Sequence, residues 1–472
     1  MDTEAYIDGA WRAAPARFAV TDPFDGAHVA DVADCDDAMV DDAVAAAARA
    51  FTAWREVPAP ARGARLDAMS RAMLADEQAL AALCTRENGK PTAEAIAEVR
   101  YAASFLHWFA GEAERLYGET IPSARADQRL VVTREPVGPC ALITPWNFPY
   151  AMLTRKLGAA LAAGCTVVCK PAEQTPLGAL AIARIAHACD VPHGVVNVVP
   201  ASDGARAGGR LVAARAIRKV SFTGSTEVGK QIARAAAGDL KRVSLELGGN
   251  APFVVLADAD LDAAVAGALV AKFRNAGQTC VAANRFIVEA PVADAFARAL
   301  CAAIAKLKVG RGSDDGVAIG PLIDDAGARK VARLAADAVA RGATLALGKV
   351  PDGTSRLIAP VVVTGVTRDM QLWREEIFGP LVPICAARDE ADAYALANDT
   401  DAGLIAYVFA RDASRQARAI AALEAGMVGV NEGLVSMAQA PFGGIKQSGQ
   451  GREGSRHGVD DYLSYKYAAT RV

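Results

Sequence analysis

Long apolar runs, closely paired cysteines, clustered histidines and an excess of either charge are all missing from this 472-residue sequence. The longest nearly uncharged run of note, Leu157 to Cys169 between Lys156 and Lys170, falls well short of the ~20 residues a membrane span requires and reads as a buried helix and strand. The start, Met1-Asp2-Thr3-Glu4, places acid where a secretory signal carries base, and no apolar stretch follows, so secretion is not expected. Nine cysteines, at 35, 84, 140, 165, 169, 189, 280, 301 and 385, are odd in number and form no CxxC pair. That pattern suits free thiols in a reducing cytoplasm. Five scattered histidines offer no ligand spacing, and no metal is expected. Lys plus Arg number 51 against 54 Asp plus Glu, a net charge of −3 with the signs interspersed. No basic stripe points to nucleic acid and no acidic tail is present. A cytoplasmic protein with neither a nucleic-acid nor a membrane partner is the expectation.

What is present is enough chain for two or more domains. Tyr6 to Trp11 reads as a short hairpin, and Thr21-Asp22-Pro23-Phe24-Asp25-Gly26 as a turn. From about Asp36 to Gly118 the pattern is alanine-rich amphipathic helix, broken near Pro58, Pro60 and Asn88-Gly89-Lys90-Pro91. From Gly138 short apolar strands (Cys140 to Thr144, Thr166 to Cys169, Gly194 to Val199, Lys219 to Phe222, Arg242 to Leu245) alternate with helical stretches such as Met152 to Ala163 and Leu177 to Ala188. Alternation of this kind implies a parallel sheet covered on both faces, an architecture that binds nucleotides at its carboxyl edge. After Leu247 to Asn250, read as a hinge, a second α/β series runs through Phe253 to Leu256, Arg285 to Val288, Ala343 to Leu347, Leu381 to Ala386, Leu404 to Phe409 and Met427 to Val430. The alternating run Leu130 to Val137 and the tail Tyr462 to Val472 fit neither domain. Open edge strands invite pairing, so an oligomer is expected.

Three kinds of residue carry chemistry. Glu246 stands at the end of a strand-like run before Gly248 and Gly249, and Cys280 follows 34 residues later in the polar segment Gly277-Gln278-Thr279-Cys280. A lone cysteine is most often inert packing, but a thiol and a carboxylate from different elements can converge as nucleophile and base, which covalent catalysis with a hydrolytic second half requires. In Pro145-Trp146-Asn147-Phe148-Pro149 two prolines fix a loop whose Asn147 amide is a candidate donor to an oxyanion. Thr223-Gly224-Ser225-Thr226-Glu227-Val228-Gly229, at a strand-to-helix turn, lets backbone approach a phosphate, though it is neither G-x-G-x-x-G nor a P-loop. Lys170 and Glu173, just past a strand's carboxyl end, suit a ribose diol. A carboxylate there would repel a 2′-phosphate, which favours NAD and leaves NADP as the alternative.

Together with Glu375-Glu376-Ile377-Phe378-Gly379-Pro380, Pro441 to Gly449 and Gly451 to Gly454, these segments resemble the aldehyde dehydrogenase superfamily over nearly the whole chain, from about Tyr6 to the tail. The resemblance implies an α/β fold with a Rossmann-type parallel-sheet cofactor domain (1–121 and 139–247), an α/β catalytic domain (248–438), a returning segment (439–454) and a small β oligomerisation arm (122–138 and 455–472). It implies a homodimer or homotetramer. Cys280 becomes the nucleophile, Glu246 the general base and Asn147 the oxyanion donor, alongside the backbone N–H of Cys280. Trp146, Lys170, Glu173, Gly224, Ser225, Gly229, Leu247, Glu376 and Phe378 become cofactor-binding. Retention of Glu246 sets the chain apart from members that pass the acyl group to coenzyme A. The segments around Arg155, Arg274 and Ser436 look like those of succinate-semialdehyde dehydrogenases, which implies that these three residues hold the substrate's distal carboxylate. A dehydrogenase of another carboxylate-bearing semialdehyde, such as the five-carbon glutarate semialdehyde, is the alternative, and a non-catalytic structural or binding relative is a further one. Ala282 stands where some succinate-semialdehyde dehydrogenases carry a second cysteine, so a switch through that position cannot form.

Overall fold

Short apolar runs that end in glycine, proline or polar residues pair here as parallel strands, because the alanine-rich stretches between them are long enough to cross over as helices. The computed structural model describes residues 2–472. In the first sheet β1 (Cys140–Ile143), β2 (Val167–Lys170), β3 (Val196–Val198), β4 (Lys219–Thr223) and β5 (Arg242–Glu246) run parallel in the order β3-β2-β1-β4-β5. β1 to β4 are buried along their whole length; β1 accordingly reads as a continuous apolar run, whereas β3 and β4 enclose the polar residues Asn197, Lys219, Ser221 and Thr223 as well. The hairpin Ala5–Ile7/Ala10–Arg12 extends one edge antiparallel to β3, and Gly449–Gln450 closes the other beside β5. The strand order reverses between β1 and β4, and a crevice at the carboxyl ends of such a pair is where open α/β sheets take ligands.

The second sheet holds β6 (Ala251–Val255), β7 (Ala283–Glu289), β8 (Val361–Thr364), β9 (Leu381–Ala387), β10 (Ile405–Phe409) and β11 (Met427–Val430), parallel in the order β8-β9-β7-β6-β10-β11, with Thr344–Leu347 antiparallel at the edge. β8 is absent from the sequence expectation. It is the four-residue run Val-Val-Val-Thr directly after Pro360. The hairpin Ala16–Thr21/His28–Asp34 was likewise expected only as its connecting turn. Gln128–Pro136 pairs with Glu119–Ile121 on one side and with the tail strand Leu463–Arg471 on the other, forming a separate three-stranded antiparallel sheet.

Five helices position the functional residues: α1 (Thr92–Ala113), α2 (Ala151–Ala163), α3 (Thr226–Ala237), α4 (Leu261–Phe273) and α5 (Asp325–Ala340). α2 follows the loop after β1, packs on α1 and is buried at every position. An all-round buried helix should be apolar throughout, yet α2 carries Arg155 and Lys156 with their side chains fully enclosed. Charges in such a place require partners or a ligand. Between β5 and β6 the extended residues 247–250 pass from one sheet to the other.

Candidate active site

The thiol is presented by a strained turn. α4 ends at Phe273, and Asn275, Ala276 and Gly277 follow with φ of 49°, 56° and 80°. Two consecutive non-glycine residues in the left-handed region persist only where neighbours hold them. Here Asn275 N–H donates to Glu94 Oε2 (2.6 Å), Gln278 Nε2 donates to the Asn275 carbonyl (3.0 Å) and Ile323 N–H donates to Gln278 Oε1 (2.9 Å). Against this turn lies Gly249, where a Cβ would come within 2.2 Å of the Cys280 carbonyl oxygen. Only glycine lets the connecting segment pass. Although Cys280 retains some exposed surface, burial pushes its thiol up to about 12; Arg155 pulls the other way, and Glu376 and Glu246 add to the rise. In this arrangement the sulfur is protonated at neutral pH.

Asn147 is fixed beside that turn from several directions. Its Nδ2 donates to the Gln278 carbonyl (3.0 Å), which leaves the second amide N–H free for an oxyanion. Its own carbonyl accepts from Lys90 Nζ (2.7 Å) and Asn275 Nδ2 (2.9 Å), while Asn88 Nδ2 donates to the Trp146 carbonyl (2.9 Å). Lys90 is buried in an ion pair with Glu98, whose other oxygen accepts from Tyr150 N–H at 2.9 Å. In the sequence this lysine and Asn88 look like parts of an ordinary turn. Nothing local to them signals that they hold a loop more than fifty residues away.

Glu246 ends β5, in register with Thr223 and Gly449. It does not line the cavity that contains the thiol. Both carboxylate oxygens are buried without a partner, and burial, reinforced by Glu453, raises its pKa well above the usual carboxylate range against the pull of Arg155, Lys156 and Arg452. Glu453 is its opposite. Burial pushes it up, but Arg155 and Lys156 more than offset that, and it is lowered. Two acids in one enclosed cluster thus divide the roles: Glu246 keeps a proton and Glu453 keeps the charge. Lys156 bonds both Glu453 and Thr223 Oγ1, the latter at 2.7 Å. Sequence reading assigned Glu453 no role, because a lone acid in a glycine-rich tail segment carries no spacing signal.

The remaining predicted residues fall into two groups. Trp146, Arg155, Gly224, Ser225, Leu247, Arg274, Glu376, Phe378 and Ser436 line one cavity of about 390 Å³ together with Asn147 and Cys280. Lys170, Glu173 and Gly229 do not. Gly229 sits where a Cβ would meet Leu247 Cδ2 at 2.3 Å, so this glycine allows α3 to approach the connecting segment. Ser225 caps α3, its Oγ accepting from Val228 N–H (3.3 Å). Lys170 and Glu173 pair at 3.3 Å on the carboxyl edge of β2; burial lowers Lys170 and Glu173 partly restores it. One oxygen of Glu376 accepts from Gly249 N–H (3.0 Å), and burial pushes this carboxyl up to about 7 against the Gly249 N–H, Lys330 and Lys272. Phe378 meets Trp146 edge to face, centroids 5.6 Å apart. A helix N-terminus and a carboxylate with a free oxygen at the cavity, with a Lys/Glu pair on the carboxyl edge of β2, supply the donors and acceptors that a dinucleotide requires, and the residues present fit one.

The two arginines that line the cavity differ in burial. Arg155 is 1% exposed; its Nε lies against Glu453 and its guanidinium stands 4.5 Å from the Phe442 centroid, yet none of its three nitrogens makes a hydrogen bond. Arg274 is only partly buried, 5.5 Å from the Phe148 centroid. Ser436 lines the same region.

Residues 11–468 match the model of the aldehyde dehydrogenase family. The chain is 51% identical to a succinate-semialdehyde dehydrogenase [NADP(+)] of Escherichia coli, covering 98% of this chain and 97% of that protein. It is 50% identical to a glutarate-semialdehyde dehydrogenase of Pseudomonas putida, covering 99% and 98%. The crystal structure of an NADP-dependent enzyme from E. coli superposes with a TM-score of 0.98 at 50% identity, covering all of this chain and 98% of that one.

Proposed function

Because the chain belongs to the aldehyde dehydrogenase family, we propose that it oxidises succinate semialdehyde to succinate with a nicotinamide dinucleotide, through an intermediate bound to Cys280. The observation that carries this reading is a single cavity lined by a thiol and an amide donor together with two arginines and a serine. Hydrogen bonds from charged donors to a carboxylate are strong and discriminate against a neutral chain.

Cys280 Sγ adds to the aldehyde carbon as its proton leaves, and the second N–H of Asn147, with the Cys280 backbone N–H, receives the developing oxyanion. A nicotinamide held in the cavity would supply the acceptor for the hydride that the tetrahedral carbon loses as it becomes a thioester. Trp146, Gly224, Ser225, Leu247, Glu376 and Phe378 would hold that group, with Lys170 and Glu173 at its far ribose. Glu246 then takes a proton from the water that cleaves the thioester. Its enclosed position keeps it neutral at rest. Service as a base requires it to leave the field of Glu453 for the cavity, where ionisation is less opposed. The free acid is released and the thiol restored.

NAD is the proposed cofactor, because the Glu173 carboxylate beside Lys170 would repel a 2′-phosphate; the E. coli relative named as an NADP enzyme makes NADP the competing choice. A second reading, glutarate semialdehyde as substrate, is favoured by the P. putida relative, and one methylene shifts selectivity by only about 1–3 kcal/mol. A panel of succinate semialdehyde, glutarate semialdehyde and butanal, each with NAD and with NADP, tests the proposal. The expected order of kcat/KM places both acids above butanal and the four-carbon acid first with NAD. Preference for butanal would remove the carboxylate clamp.

A further inference from the structure

Tyr101, in the middle of α1, was not among the residues singled out in the sequence, yet it lines the cavity beside Arg155, Arg274 and Ser436. Its ring is braced edge-on against Phe105, one helical turn along, at 4.8 Å between centroids. Its hydroxyl is buried and has no hydrogen-bond partner among the described residues. Burial raises its pKa against the pull of the two arginine charges, so the phenol is a neutral donor throughout the physiological range. Ser436 lies close enough to pull it in the same direction as a hydrogen-bonding neighbour would, although the two hydroxyls as placed do not meet hydrogen-bond geometry.

An enclosed hydroxyl left unpaired is costly, on the order of 1–3 kcal/mol, and is tolerated where a ligand completes it. The groups around it narrow the ligand's chemistry. Arg155, Arg274, Ser436 and Tyr101 present hydrogen-bond donors to one end of the cavity. Among these groups Arg155 already faces a carboxylate, Glu453, through Nε, and its remaining guanidinium nitrogens are unengaged. Four donors, the orphan phenol among them, describe a pocket with spare capacity for an anion that has several lone pairs.

We propose that Tyr101 is a specificity-determining residue whose hydroxyl donates a hydrogen bond to the distal carboxylate of the substrate. This rests on the reading of the substrate as a carboxylate-bearing semialdehyde. The phenol adds what the arginines lack: a short, rigidly mounted, uncharged donor whose direction is set by its packing on Phe105. A carboxylate satisfies it, whereas a methyl group in the same place leaves it orphaned, so the hydroxyl selects between acids and neutral aldehydes.

The test is Tyr101→Phe, which removes one oxygen and keeps the ring. For the wild type and the variant, kcat/KM is measured with succinate semialdehyde and with butanal, and inhibition by succinate is measured as a second readout independent of turnover. The expected result is a fall of about tenfold or more in the ratio of acid to neutral aldehyde, expressed mainly as a higher KM for the acid, together with weaker inhibition by succinate. An equal fall on both aldehydes, or unchanged inhibition by succinate, would overturn the assignment and leave Tyr101 as packing. If the wild type itself fails to prefer the acid, the carboxylate-clamp reading is what has failed. If the wild type prefers the acid and the variant does so equally, only the role of Tyr101 has.

Discussion

A thiol held near 12 is a poor resting nucleophile, and its behaviour with pH follows directly. Below that value the thiolate fraction grows about tenfold per pH unit. Alkylation of Cys280 by iodoacetamide in the ligand-free protein, followed on its own peptide by mass spectrometry, should therefore climb steadily from pH 7 to 9. A plateau by pH 8 would show that the thiol is far more acidic than its burial implies. Glu246 yields a different signature. Glu246→Gln should lower steady-state kcat by about 10²–10⁴-fold, while rapid mixing still shows a burst of one NADH per active site, because only hydrolysis needs the carboxylate. Loss of the burst as well would place Glu246 in the acylation step. Cys280, Glu246 and Asn147 stood out in the sequence because each sits in a local pattern that chemistry requires. Lys90, Glu98, Glu453 and Tyr101 were not legible, because each acts on residues far along the chain and has nothing unusual beside it.

Among the elements, the loop after β1 and the turn after α4 have to be held in register, since the Asn147 amide and Cys280 come from different sheets. The Lys90–Glu98 ion pair is the fixing point. Lys90→Met leaves Glu98 buried and unpaired, which should cost about 3–5 kcal/mol of stability in urea unfolding. The activity of the folded fraction should fall with it, since the Asn147 carbonyl loses a donor. Full activity in a destabilised variant would separate the pair from the site. Gly249→Ala probes the other side of the turn. With a Cβ 2.2 Å from the Cys280 carbonyl oxygen, the thiol segment must shift, and kcat should collapse even where circular dichroism shows a folded protein. Activity within twofold of the parent would mean that the turn can yield at small cost. Strand and helix types were readable from periodicity because parallel strands buried on both faces are continuous apolar runs. β8 was missed although its Val-Val-Val-Thr run is as long as β1 and β2.

Taken whole, the molecule carries a three-stranded sheet apart from its two large α/β sheets. Gln128–Pro136 and Leu463–Arg471 pair over nine residues each, and Tyr465 and Tyr467 on the tail strand are exposed. Large apolar side chains on a small sheet with an open edge favour association with another copy. Deleting residues 463–472 should therefore turn an oligomer into smaller species or aggregates in size-exclusion chromatography with light scattering; an unchanged assembly would remove the arm from the interface.

The amino-acid sequence by itself determined the alternation of strand and helix and the positions where a thiol, an acid and an amide stand in chemically suggestive surroundings, because those features are local: hydrophobic period, turn residues and short motifs act over a few residues. Only the tertiary structure decided that Glu246 rests outside the cavity against Glu453, that Gly229 serves packing, that Arg155 is enclosed while Arg274 is partly open, and that the Tyr101 hydroxyl is left without a partner among the described residues. Each of those outcomes depends on burial and on charges brought together from distant segments, and no local pattern encodes either.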